Sequence, residues 1–191
     1  MKRLFFLFTV LVLFRVIVFS VEFKFIDYST EDNRVYVEVE IGDIFSNDAL
    51  DSLENGQEIK IYLNVKLFEK RVLFPDKKIK ESGERNLIQY NIITQKFHVV
   101  IGKSPGNRDE TFLKEREEAF EMISRFKKLP VFNRNDINIS KDYKITIEIK
   151  IVSLKMSLPI SLIFDFFFDL NYSVSKSFEY SGAEILEKYF N

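Results

Sequence analysis

The chain has 191 residues, 46% hydrophobic and 15% aromatic, with 28 Lys+Arg against 29 Asp+Glu and a net charge of −1. That apolar content excludes an intrinsically disordered chain, and the balanced charge carries no footprint for nucleic acid. With no Cys and one His, disulfides, iron–sulfur clusters, thiolate zinc sites, cysteine nucleophiles and multi-His metal sites are excluded as well.

Lys2 and Arg3 precede a run, Leu4 to Phe19, that is apolar except for Thr9 and Arg15. As a helix this run reaches about 24 Å, short of the ~30 Å hydrocarbon core. Val18 and Ser20 suit a cut after Ser20. Residues 1–20 therefore read as a secretory signal peptide, with an uncleaved membrane anchor as the alternative. A lipoprotein is excluded, since no Cys can be acylated. The expected location is the periplasm or cell envelope, with residues 21–191 forming one domain.

Period-2 alternation dominates the rest. A first strand is expected over Val21–Ser29, ended by the polar cluster Ser29-Thr30-Glu31-Asp32-Asn33. Val35, Val37, Val39 and Ile41 alternate with Tyr36, Glu38 and Glu40. Ile59, Ile61, Leu63, Val65 and Leu67 do the same, as do Ile145, Ile147, Ile149 and Ile151. Each set gives a strand one apolar and one polar face, and β-branched residues fill the apolar one. Asn86–Asn91 and Gln95–Ile101 predict a hairpin about Asn91–Thr94. Two helices are expected. One is short, Asn47–Asn55, capped by Ser46 or Asn47 and stopped by Gly56; the other is longer, Asp109–Lys128, ended by Pro130. Leu170, Tyr172 and Val174 give a late strand. These elements predict a mainly β fold: an antiparallel β-sandwich, immunoglobulin-like in general architecture, with one longer and one short helix.

Several local sequences bear a likeness. Ala49-Leu50 precedes Glu54-Asn55-Gly56, and Leu87–Val99 contains Tyr90-Asn91-Ile92-Ile93-Thr94. Glu118-Ala119, the Tyr143–Ile151 strand, Leu158-Pro159 and Leu170–Ser175 follow in order. From about Tyr36 to Ser181 the chain resembles a bacterial family known as domain of unknown function 4390. The resemblance implies an exported or membrane-anchored envelope protein with no established activity, and it carries over no catalytic residue. Where that family has Trp, this chain carries Phe74, Tyr172 and Phe178, which keep aromatic volume and lose the indole N–H.

Reactive side chains are sparse. His98 is the sole imidazole base, with no Gly-x-Ser-x-Gly elbow to present a nucleophile, and reads as a solvated strand residue. Glu38 and Glu40 lie on one strand face about 7 Å apart, a spacing open to carboxylate-dependent hydrolysis but ordinary for an exposed strand. Asp165 and Asp169 fall short of the six to eight oxygens that Ca²⁺ takes, and Asp32-Asn33 and Asn133–Asp136 read as turns. Gly102–Gly106 contains Gly-Lys-Ser but lacks the leading glycine of a phosphate loop, and Pro105 blocks a following helix. Lys77, Lys78 and Lys80 read as a solvated loop, or as a contact for anionic phospholipid. Leu162, Phe164, Phe166 and Phe168 form one face of the apolar stretch Ile160–Phe168, which reads as a central strand, or as an apolar groove or edge for a lipid or partner strand.

The function expected from the sequence is non-catalytic: an exported β-sandwich acting as a binding, adaptor or chaperone-like module for another envelope protein or an extended chain. Binding of a lipid or other apolar ligand is the alternative, and a carboxylate-dependent hydrolase ranks last. No cofactor, metal or nucleic acid is expected.

Overall fold

The structure, a computed structural model, describes residues 22–42, 47–104, 107–154 and 170–190. The expected leader, the Ser46 cap, Asp165, Asp169 and the stretch holding Leu162, Phe164, Phe166 and Phe168 lie outside these residues. In chain order come β1 (Glu22–Glu31), β2 (Arg34–Gly42), α1 (Asn47–Glu54), β3 (Glu58–Glu69), β4 (Lys77–Asn91), β5 (Lys96–Ser104) and β6 (Asn107–Leu113). Then follow α2 (Arg116–Ser124), β7 (Arg125–Asn133), a 3₁₀ turn at Arg134–Asp136, β8 (Asp142–Leu154), β9 (Leu170–Ser181) and α3 (Gly182–Phe190).

Among the described residues all strand pairs are antiparallel, in a three-stranded sheet ordered β1-β2-β7 and a six-stranded sheet ordered β6-β5-β4-β3-β8-β9. The predicted alternation sets the core. Val35, Val37 and Val39 of β2 share one cluster with Ile59, Ile61, Leu63, Val65 and Leu67 of β3 and with Ile145, Ile147 and Ile149 of β8. Each such side chain contributes about 1.5–3 kcal/mol by leaving water. Turn chemistry agrees. Asp32 and Asn33 take φ of 50° and 60° between β1 and β2, and Asn91 Oδ1 accepts the Ile93 and Thr94 N–H groups, both at 3.0 Å. Gly56 ends α1 at φ 77°, a value that favours glycine.

Three readings are corrected. The long helix Asp109–Lys128 is a strand, a short helix and a second strand: its first residues pair with β5, and Arg125 onward pairs with β2. Pro130 thus sits in β7, an edge strand that tolerates its missing N–H. Lys77–Lys80 opens β4, where Lys78 faces Phe68 and Lys80 faces Leu67 across the ladder. Gly102–Ser104 ends β5 rather than lying in a loop. Among the described residues a further helix, α3, follows β9 beyond the two expected.

One polar group crosses the core. Asn86 is fully buried on the inner face of β4. Its Nδ2 donates to the Ile123 carbonyl at 3.0 Å and, at 3.4 Å, to the Arg125 carbonyl where α2 becomes β7. Asn86→Ala removes both bonds to these carbonyls and is expected to lower unfolding free energy by about 2 kcal/mol. Asn86→Asp is expected to cost more at neutral pH, because a carboxylate has no N–H to donate. Its folded pKa must rise, so the deficit shrinks as pH falls toward the unfolded Asp value of about 3.9. Urea unfolding at several pH values checks both, and an Asn86→Asp deficit that is flat with pH would contradict the assignment.

Candidate binding groove

A three-stranded sheet cannot cover a six-stranded one, and the two flanks of the sandwich are closed differently. On the β6/β7 flank, α2 fills the gap with Ala119 and Ile123, both 0% exposed. On the β1/β9 flank, α3 inserts Ile185 and Tyr189. The start of α3 is fixed sharply. The Gly182 N–H donates to the Lys141 carbonyl at 2.7 Å, and a Cβ there would lie 2.1 Å from the Asn138 carbonyl oxygen. Ser181 and Glu184 form a capping box, with the Ser181 N–H donating to Glu184 Oε2 at 2.7 Å and the Glu184 N–H donating to Ser181 Oγ at 3.2 Å. The Ser181 N–H and hydroxyl hold the Glu184 carboxyl below its ordinary range.

Between β1 and β9, beside α3, a groove of about 530 Å³ remains. Its walls are aromatic. The Tyr28 ring meets Phe178 edge-on at 6.3 Å and Tyr189 at 5.5 Å, and Tyr189 meets Phe132 at 6.1 Å. Lysines lie over these rings. Lys188 Nζ is 5.0 Å from the Tyr180 centroid, 5.1 Å from Tyr189 and 6.0 Å from Tyr28. Lys176 Nζ is 5.5 Å from the Phe178 centroid. Burial first, then the neighbouring Tyr189 and Tyr180, raises the Tyr28 hydroxyl above the ordinary tyrosine range. Its lining residues include Lys24, Lys176, Lys188 and Asp27, and Lys24 is paired with Glu40 at 2.6 Å. A smaller pocket of about 430 Å³ on the other flank has the opposite sign, with Glu84, Asp109, Glu118 and Glu121 against Arg125 and Lys127.

The residues singled out from sequence fall elsewhere. Glu40 is bound by Lys24 at 2.6 Å and Arg125 at 3.2 Å, and these cations lower its carboxyl, while Glu38 points outward. His98 is half-buried rather than solvated. Its ring stacks on Phe112 at 4.7 Å, and Nε2 lies 3.5 Å from Glu110. Lys78 pairs with Glu81, and Lys80 pairs with Asp136 at 3.4 Å. Among the described residues no cluster of three or more His, Asp or Glu could hold a metal ion, and no helix is long and apolar enough to cross a membrane.

The family model described as Domain of unknown function (DUF4390) matches residues 20–178. The chain belongs to this family. No curated protein and no solved structure matches it. The matched span includes β1 and most of β9, and so both edges of the groove; α3 follows it. Of the aromatic substitutions noted above, Phe178 lines the groove and Phe74 is exposed at the β3–β4 turn. The side chain of Tyr172 lies outside the described residues.

The groove residues Tyr28, Phe178, Tyr180, Lys188 and Tyr189 were not predicted as a set, because edge strands distant in sequence form it. One signal was available: Ser181-Gly182-Ala183-Glu184 is the capping-box pattern before an apolar turn. The Tyr28 hydroxyl is buried without a hydrogen-bond partner among the described residues. Tyr28→Phe is therefore expected to leave unfolding free energy unchanged or raise it by up to about 1 kcal/mol. A loss above that in urea titration would show that the hydroxyl is bonded.

Proposed function

We propose that this protein is an exported, non-catalytic binding module of the cell envelope. Its groove between β1 and β9 receives an extended polypeptide carrying acidic and aromatic side chains. One observation carries the reading: among the described residues no strand pairs with the outer side of β1 or β9, and these edges flank an aromatic cleft where Lys176 and Lys188 lie over the rings. Edge strands present free N–H and C=O groups to an added strand. The rings offer apolar contact, and the lysines favour carboxylates. The basic and apolar residues 1–20 support export. The non-catalytic reading is supported by the surroundings of the residues best suited to chemistry. Glu40 is neutralised by two cations, and no hydrogen bond joins His98 to a hydroxyl among the described residues.

An eight-residue peptide alternating Asp with Phe, titrated into the protein, tests this directly. It is expected to slow amide exchange along β1 or β9, and the matching Lys–Phe peptide is not. Lys188→Glu is expected to weaken the acidic peptide several-fold. Protection confined to the β6/β7 flank, equal effects of the two peptides, or no protection contradicts the proposal.

A further inference from the structure

The β3–β4 turn spends three consecutive apolar residues on solvent. Leu73 and Phe74 are 86% and 69% exposed, and Val72 is wholly so. Such a run is unfavourable at a surface unless something covers it. The last ladder pair is Glu69 with Lys77, so residues 70–76 project beyond the sheet. Half of that loop, fully extended, reaches about 10 Å. Ile139, 63% exposed, lies in the neighbouring loop, which is held there by the Lys70 N–H donating to the Asp142 carbonyl at 2.8 Å.

Of the five cations in residues 70–80, Lys70 pairs with Glu179, Lys78 with Glu81 and Lys80 with Asp136, which leaves Arg71 and Lys77. The acid within that span is Asp76. That acid is taken up by Lys144 at 2.8 Å, and Glu69 beside it by Lys141. Arg71 and Lys77 have no carboxylate within ion-pair distance among the described residues. The tip is thus apolar and flanked by two cations, Arg71 and Lys77. It matches the headgroup zone of an anionic bilayer, where apolar side chains sink about 5–10 Å and each Lys or Arg near the surface adds about 1 kcal/mol.

We propose that the β3–β4 turn is a membrane-docking element: Val72, Leu73 and Phe74 enter the interface of an anionic phospholipid bilayer, and Arg71 and Lys77 contact its headgroups. The element is separate from the groove. Glu22, where β1 begins, is at the opposite end of the sheets from the turn.

The chain contains no Trp, so an indole introduced by Phe74→Trp in the full-length protein reports on the tip alone. Ile93→Trp, in the exposed β4–β5 turn at the other end, reports on the end where β1 begins. Each variant is mixed with phosphatidylcholine vesicles and with vesicles of phosphatidylcholine and phosphatidylglycerol at a ratio of about 7:3, with and without brominated acyl chains. Emission of the Phe74→Trp variant is expected to shift to shorter wavelength, and to be quenched by bromine, with the anionic vesicles and far less with the neutral ones. Adding Arg71→Gln and Lys77→Gln is expected to raise the lipid needed for half the shift about 25-fold, at roughly fivefold per basic residue. If the Phe74→Trp variant keeps its buffer spectrum in anionic vesicles, the proposal is overturned, whatever the Ile93→Trp variant does. A shift that is equal in neutral vesicles and indifferent to the two Gln substitutions overturns it as well.

Discussion

The structure depends on a mismatch in width. Alternating β-branched residues oblige both sheets to bury one face, and the six-stranded sheet has twice the strands of the three-stranded sheet laid against it. The surplus apolar width falls on the outer strands. The centre is dry: Ile61, Leu63, Ile145 and Ile147 of β3 and β8 are wholly buried. At the margins, Leu113, Val174, Phe178 and Tyr180 are only partly buried. Each flank therefore needs a helix. Where the helix fits closely the sandwich is shut, and where it covers only part of the gap an aromatic cleft is left.

The flanks differ in sign as well as in shape. Polar groups of the larger sheet's inner face, Glu84 and Asn86, turn toward α2 and β7. On the other flank the inner face carries Phe178 and Tyr180, and α3 brings Tyr189 and Lys188. One flank thus lines its opening with carboxylates, and the other with rings and ammonium groups. A lysine over an aromatic face keeps its charge near the surface while its stem covers the ring.

Much of the fold was legible because period 2 is a strong signal in β2, β3 and β8, where nearly every alternate residue is aliphatic. The β4–β5 turn was legible for a local reason, the Asn91 side chain that closes it. The segment from Asp109 to Lys128 misled because Phe112, Arg116, Phe120, Ile123 and Phe126 recur at three- and four-residue steps across three different elements, and pairing with β5 and β2 overrides it. The turn at 70–76 also resisted reading: Val72, Leu73 and Phe74 look like strand residues, and only the ladder pairing shows that they extend past the sheet. The groove depends on contacts between β1 and the last strand and helix, a long-range arrangement that no window of sequence displays.

The width mismatch makes a claim about local stability: α3 is an added cover, held by fewer apolar contacts than the central strands. Native-state amide hydrogen exchange reads this residue by residue. The account predicts that amides of Ile185–Tyr189 exchange through a local opening of clearly lower free energy than those of Ile61 and Leu63, which wait for global unfolding. Protection in α3 equal to that of β3 would contradict it, because the helix would then belong to the same cooperative core as the sheets.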